Sequence, residues 1–153
     1  MTKRVITCIA SGVIALASPT GWACSYDGLF TNPFSESYPG ALDVSIATQQ
    51  AIRSQSMQPL ETIEGLSGLR RTSWWLNLMT KNNPDLPKGA YVYVVDRQLW
   101  SRTSQTGNSI EVHVSPPSQN EQVLQLSEAA LQGLISNQIT IEQARELGVL
   151  IET

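Results

Sequence analysis

The sequence predicts an α+β domain in which helices pack on one face of a small antiparallel or mixed sheet, preceded by an N-terminal signal peptide. Three observations support this class. Two stretches of helical periodicity occupy the first half of the chain, a run rich in β-branched and aromatic residues lies near its centre, and strand and helix patterns alternate after residue 120. We expect a single domain over residues 41–153, because no linker or repeat divides them.

A cleaved secretory signal is predicted over residues 1–23. Lys3 and Arg4 provide its basic start, an apolar stretch follows, and the small residue Ala23 precedes the expected cut before Cys24. The apolar stretch is shorter than the roughly 20 residues that a membrane span needs, and no later segment is predicted to cross a bilayer. The mature chain is therefore expected to be periplasmic or secreted, with a retained membrane anchor as the alternative.

Charge and cysteine content limit the partners of this mature chain. The full sequence has a net charge of −3, and loss of the two basic signal residues lowers it to about −5, so no nucleic-acid partner is expected. Cys8 belongs to the predicted signal, which leaves Cys24 without an internal disulfide partner. Three roles stay open for Cys24: a lipid anchor, for which Gly21 and Trp22 are a poor lipobox, a partner-bonded or redox-active thiol, and a passive residue.

The segment from residue 24 to residue 40, which we call the aromatic strap, is predicted to be extended and to lie on the domain. Gly28, Pro33 and Pro39 interrupt regular structure along it. Its aromatic residues stand at every fourth position and are Tyr26, Phe30, Phe34 and Tyr38. Their rings either complete the hydrophobic core or line or cover a ligand groove.

Two amphipathic helices are predicted after the strap. The first extends from Ala41 to about Ser56, a stretch without Gly or Pro. Its apolar positions include Leu42, Ile46, Ala47 and Ile52. The second extends from Leu69 to Lys81 and ends where Pro84 approaches.

This second helix contains two arginine–tryptophan pairs at a spacing of four residues, Arg70 with Trp74 and Arg71 with Trp75. Each guanidinium is expected to lie over its indole ring, a contact worth about 0.5–1 kcal/mol at an exposed site. Trp75 borders the apolar face, so one interpretation is that arginine stems cover core rings. The other is that the pairs contact a partner protein, an anionic headgroup or a nucleobase.

The centre of the chain predicts a β-hairpin. The run from Tyr91 to Trp100 has strand composition, and Ile110 to Val114 alternates between apolar and polar residues. A polar turn over residues 102–108 is expected to join these two strands. Asp96 and Arg97 are interpreted as charges at a strand end.

The C-terminal segment predicts a strand, two capped helices and a returning strand. After a short strand over residues 123–126, Ser127 is a good N-cap for a helix with an apolar face. Thr140 and Gln143 match a capping box, and Gly148 ends that second helix before a strand over residues 149–151.

The segment from Val123 to Glu152 resembles the C-terminal half of sterol carrier protein 2-like (SCP2-like) domains. The predicted hairpin is similar to the part of the sheet that precedes this half in the family. The positions that match the family pattern are Ser127, Leu131, Leu134, Glu142, Ala144 and Gly148. The resemblance implies a small mixed sheet with helices that close over an apolar cavity. It also implies binding of lipids or other hydrophobic ligands without catalysis.

Motifs for catalysis and metal binding are missing from the sequence. It contains one histidine and no G-x-S-x-G, C-x-x-C or H-E-x-x-H motif and no phosphate-binding glycine loop. His113 and Glu111 are either an acid–base pair or a solvated polar strand face, and the second interpretation is the simpler. We therefore expect no enzyme, no catalytic residue, no cofactor and no metal.

Two functions are weighed on these grounds. The first is an exported, non-enzymatic domain that binds a hydrophobic small molecule or lipid in an apolar groove. Its candidate ligand-binding residues are Tyr26, Phe30, Phe34, Tyr38, Trp75, Leu131 and Leu134. The alternative is an interaction or assembly accessory of an envelope complex. Its candidate partner-binding or redox residues are Cys24, Arg70, Arg71 and Trp74.

Overall fold

A computed structural model of the chain describes residues 38–118 and 120–153. The helices of this part are α1 (Ala41–Arg53), α2 (Gly65–Asn82), α3 (Glu128–Ile135) and α4 (Ile141–Glu146). The strands are β1 (Tyr91–Val94), β2 (Leu99–Thr103), β3 (Ile110–Val112), β4 (Val123–Leu126) and β5 (Leu150–Glu152). The predicted signal over residues 1–23 and the strap residues 24–37, with Cys24, Tyr26, Phe30 and Phe34, lie outside the described residues.

The five strands form one mixed sheet in the order β3-β2-β1-β4-β5. Neighbouring strands are antiparallel in three pairs, and β1 and β4 are parallel. The prediction of an α+β fold with a small mixed sheet is therefore confirmed. In the described residues, no helix combines the length and the apolar character that crossing a membrane requires.

The predicted strand from Tyr91 to Trp100 is wrong in one respect, because the chain reverses within it. A 3-10 turn at Val95–Arg97 and the left-handed backbone of Gln98, with φ of 49°, divide the run into β1 and β2. These strands pair with each other, and β2 also pairs with β3 as the hairpin prediction expected. The alternation does not continue to Val114, since β3 ends before His113, whose φ is 65°.

The two faces of the sheet carry different side chains because successive strand residues point to opposite sides. On one face, strands β1, β4 and β5 pack against α2, α3 and α4 in the main core. The strand residues of that core include Val92, Val94, Leu124, Leu126 and Leu150. The opposite face carries a second, smaller cluster built around Tyr93, Val95 and Val123.

Aromatic rings dominate this second cluster. The Trp100 indole stacks on the Tyr93 ring with centroids 4.3 Å apart, and the Tyr38 ring meets Trp100 edge-on at 5.0 Å. Tyr91, also half-buried, borders Trp100 at 6.4 Å. Tyr38 is thus the one predicted strap aromatic within the described residues, and its ring completes this cluster.

The first turn of α1 closes part of the second face. Ala41 and Val44 are buried there, whereas Leu42 and Ile46, two of its predicted apolar positions, are 57% and 46% exposed. Gly40, with φ of 94°, makes the close approach possible, because a Cβ atom at this position would lie 2.7 Å from Ile151 Cδ1. Small side chains therefore face the sheet, and larger ones are left in solvent.

The caps predicted for the C-terminal half are confirmed. Ser127 Oγ accepts a hydrogen bond from the Ala130 N–H at 3.1 Å, which caps α3. Thr140 and Gln143 form both bonds of the capping box that starts α4. Gly148 follows α4 with φ of 71°, and the chain returns to the sheet as β5.

Candidate functional site

One face of α2 points into solvent with large apolar and cationic side chains. Leu66 is 72% exposed and Trp74 is 61% exposed, and Arg70 and Lys81 are also exposed. Spacings of four and seven residues place these side chains on the same side of a helix. We call this set, Leu66, Arg70, Trp74 and Lys81, the α2 outer face.

The charge of α2 differs from that of the whole protein. The helix contains Arg70, Arg71 and Lys81 and no Asp or Glu, whereas the full sequence has a net charge of −3. Arg70 and Trp74 are thus one helical turn apart on the outer face, with no acidic residue of α2 between them. Such a surface attracts groups of negative charge over about a Debye length, roughly 10 Å at moderate salt.

The opposite side of α2 is fixed in the core. Trp75, Leu76 and Met79 are buried in the main cluster, and the Arg71 guanidinium lies 4.7 Å from the Trp75 ring centroid. The predicted Arg71–Trp75 contact is therefore confirmed. The predicted contact of Arg70 with Trp74 is not found among the described residues, and both side chains are exposed.

A buried carboxylate provides a second anchor for α2. Glu128 lies at the start of α3 and is 4% exposed. One of its carboxylate oxygens accepts a hydrogen bond from the Thr72 hydroxyl at 2.6 Å and forms an ion pair with Arg71 Nη2 at 3.1 Å. Its other oxygen accepts from Arg97 at 2.8 Å. Two guanidinium groups thus compensate one buried charge, which would be strongly destabilising if left unpaired.

The same two arginines hold the loop that leads into α2. Arg71 Nη1 donates to the Glu61 carbonyl at 3.0 Å, and Arg97 Nη2 donates to the Ile63 carbonyl at 2.8 Å. Glu128, Arg71 and Arg97 therefore connect α2, α3, the turn after β1 and this loop. We call them the Glu128 ion cluster.

Asp96 lies beside this cluster. One of its carboxylate oxygens accepts the backbone N–H of Glu128, although much of the residue is exposed. Partial removal of the carboxyl group from water raises the pKa of Asp96, and the Glu128 charge acts in the same direction. The hydrogen bond from Glu128 N–H and the charge of Arg97 oppose this rise. Asp96 therefore loses its proton at a higher pH in the folded protein than an ordinary aspartate does.

The structure separates the predicted ligand-binding residues. Trp75 and Leu131 are packed into the main core, whereas Tyr38 belongs to the aromatic cluster across the sheet. Leu134 is buried and borders a cleft of about 290 Å³. Most other residues around this cleft are polar or charged, namely Asn82, Asn83, Asp85, Asn137, Thr140, Glu142 and Arg145.

Sequence reasoning missed Glu128 and Thr72 and gave Asp96 and Arg97 only a peripheral role. The available signal was local: Glu128 is the one charged residue in the stretch that forms β4 and α3. Its partners are far away in the chain, since Arg71 is 57 positions distant and Arg97 is 31 positions distant. The exposed side chains of Glu111 and His113, by contrast, fit the solvated face that was predicted.

Comparisons with known proteins leave the family open. The sequence matches no protein-family model, no curated protein and no solved structure. The resemblance to SCP2-like domains therefore stays a prediction. Within residues 38–118 and 120–153, no group of three or more His, Cys, Asp or Glu side chains is arranged to hold a metal ion.

Proposed function

We propose that this chain is an exported, non-enzymatic binding protein that docks an acidic partner protein on the α2 outer face. The observation behind this proposal is the 61% exposure of Trp74 beside the exposed Arg70. Truncating tryptophan and arginine in protein interfaces costs more binding energy than truncating most other residues. An exposed indole flanked by a guanidinium is therefore a strong candidate for an interface anchor.

Rigid support favours this use of the helix. Binding costs less conformational entropy when the contacting side chains stand on an element that is already ordered. The buried residues Trp75, Leu76 and Met79 fix one side of α2, and the Glu128 ion cluster fixes its N-terminal half. Trp74 and Arg70 are thus presented on a backbone that needs little rearrangement.

The chemistry of the outer face selects the partner. Leu66 and Trp74 need an apolar pocket, while Arg70 and Lys81 need carboxylates at its rim. A protein surface with a hydrophobic depression and acidic surroundings meets both needs. The predicted signal peptide would bring the chain to such a partner in the cell envelope or outside the cell.

The lipid-binding function implied by the SCP2-like resemblance has weaker support. Leu131 and Trp75 are occupied by core packing, and the cleft at Leu134 has a mainly polar border. A fluorescent acyl probe titrated into the mature chain separates the two functions. Partner binding predicts no saturable uptake. Saturable uptake that is weakened by joint Phe30→Ala and Phe34→Ala substitution would favour the lipid function instead.

The proposal is tested by capture from an envelope extract with the immobilised mature chain. A protein retained by the wild type should be retained at least about tenfold less by Trp74→Ala, because losing an interface anchor costs about 2 kcal/mol or more. Arg70→Glu should weaken retention further at low salt. Ile46→Ala, a truncation at an exposed apolar site on α1, is the matched control and should have no effect.

Retention of the same proteins by wild type, Trp74→Ala and Arg70→Glu would contradict docking on α2. Retention that depends on Ile46 instead would place the interface on α1. Circular dichroism of each variant shows whether a loss of capture reflects the interface or the fold.

A further inference from the structure

The carboxyl ends of the parallel strands β1 and β4 form a second candidate binding position, apart from the α2 outer face. After β1 the chain turns back to β2 on one side, and after β4 it continues into α3 and returns as β5 on the other side. Where connections leave adjacent parallel strands in opposite directions, a crevice opens beyond their carboxyl ends, and ligands bind there in many open sheets. This sheet has its strand-order switch at β1 and β4.

A cleft of about 240 Å³ occupies this position. Asp96 follows β1 and Glu128 follows β4, so both strand ends contribute to its wall. Helix α1 and the loop before α2 form the other side, with the half-buried side chains of Ile52 and Leu60. The cleft is larger than the space that a single water molecule needs, so it can admit part of a small organic molecule.

The charged side chains around the cleft differ in how free they are to contact a ligand. Arg97 is paired at 2.8 Å with the buried Glu128 carboxylate, which also pairs with Arg71, so the Glu128 ion cluster keeps a net charge of +1 against the two carboxylates of Asp96 and Glu64. The exposed Glu64 carboxylate makes no capping hydrogen bond to α2, and Asp96 directs a single oxygen to the Glu128 N–H. Carboxylate charge from Asp96 and Glu64 therefore faces the cleft.

An anionic ligand is a poor fit for the same reasons. The free N–H groups of a helix start usually attract anions. At α3, however, Asp96 accepts the Glu128 N–H and Ser127 accepts the Ala130 N–H. Arg71 and Arg97 are both paired with Glu128. An anion would therefore meet two carboxylates and a helix start at which two of the N–H groups already have acceptors.

We propose that this cleft binds a small organic cation with a primary ammonium group on a short aliphatic chain. The ammonium group would lie between the carboxylates of Asp96 and Glu64, and the methylene groups would contact Ile52 and Leu60. A compact ammonium donates up to three hydrogen bonds, and the carboxylates of Asp96 and Glu64 supply acceptors in a mainly polar cleft that Ile52 and Leu60 also line. This site is independent of the docking face, because none of the residues of the α2 outer face lines it.

The proposal is tested with n-butylammonium as the probe and 1-butanol as its uncharged counterpart. Chemical shifts of the mature chain, followed by two-dimensional NMR, should change saturably with butylammonium at residues around Ile52 and Thr62 and should not change with butanol. Glu64→Gln should weaken the probe affinity by about tenfold, the loss expected for one ion pair in a partly desolvated site.

Glu61→Gln is the matched control, since Glu61 is an exposed acid of the same loop and does not line the cleft. It should leave the affinity unchanged. Asp96→Asn keeps an oxygen for the Glu128 N–H while removing the charge, and it should also weaken binding. Absence of saturable shifts in the folded wild type, equal shifts with butanol, or equal weakening by Glu61→Gln and Glu64→Gln would overturn the proposal.

Discussion

The Thr72 hydroxyl donates a 2.6 Å hydrogen bond to the carboxylate of Glu128, which is 4% exposed, and this contact joins α2 to the first turn of α3. Arg71 and Arg97 complete the environment of that carboxylate from two further directions. One acidic side chain thus positions the helix that presents Trp74 and borders the cleft beyond β1 and β4. Both proposed binding surfaces depend on it.

Replacement of Glu128 should therefore be costly. In Glu128→Ala the two guanidinium groups lose their buried counter-charge, and breaking a buried pair costs about 3–5 kcal/mol. Equilibrium urea unfolding of the mature chain measures the change. Glu121→Ala, at an exposed acidic position, is the control and should alter the free energy of unfolding by less than about 0.5 kcal/mol. Similar values for both variants would show that the ion cluster contributes little to stability.

Two leucines provide a test of the core assignment. Leu134 is 4% exposed and Leu42 is 57% exposed, so the same truncation to alanine removes core packing at one site only. Leu134→Ala should lower the free energy of unfolding by about 2–5 kcal/mol, and Leu42→Ala should have a small effect. His113→Ala, also at an exposed position, should be nearly silent in the same thermal melts. A larger loss in either control than in Leu134→Ala would contradict the assigned faces.

The raised pKa of Asp96 gives stability a defined pH dependence. A carboxyl group whose pKa is higher in the folded state binds more protons there than in the unfolded state. Its shift therefore leaves the free energy of unfolding unchanged below the ordinary pKa and lowers it as pH rises through the folded pKa. Asp96→Asn should consequently raise the melting temperature at neutral pH. The difference from wild type should vanish at pH values below 3.8, the ordinary pKa of an aspartate. A variant that is less stable than wild type at neutral pH would show that the capping charge outweighs desolvation.

Local chemistry explains which parts of the fold were predictable. Ser127, Thr140 and Gly148 act within a few residues of their own positions, so their roles as helix caps follow from sequence spacing alone. The reversal at Val95–Arg97 was missed because apolar β-branched residues continue into it and no Gly or Pro marks it. The left-handed Gln98 that completes the turn has no distinctive local signal.

The binding surfaces were predictable only in part. The Arg–Trp spacing on α2 made Trp74 a candidate partner-binding residue, because helix periodicity is a local property. The partnership of Glu128 with Arg71 and Arg97 depends on contacts 57 and 31 positions apart, which one sequence does not reveal. The cleft at Asp96 depends on β1 and β4 being parallel neighbours, and that pairing is a property of the whole topology.

Adjacent tryptophans on α2 provide the sharpest test of the docking face. Trp75 is 8% exposed and packs in the main core, whereas Trp74 is 61% exposed. Trp75→Ala should lower the free energy of unfolding by about 3–5 kcal/mol, as other core tryptophan truncations do, and it should also remove the ring under Arg71. Trp74→Ala should lower the free energy of unfolding much less than Trp75→Ala does, because most of the Trp74 surface is exposed. Urea denaturation measures both variants under one set of conditions. If Trp74→Ala were as destabilising as Trp75→Ala, the Trp74 ring would be serving the fold, and its exposure would no longer support a role in docking.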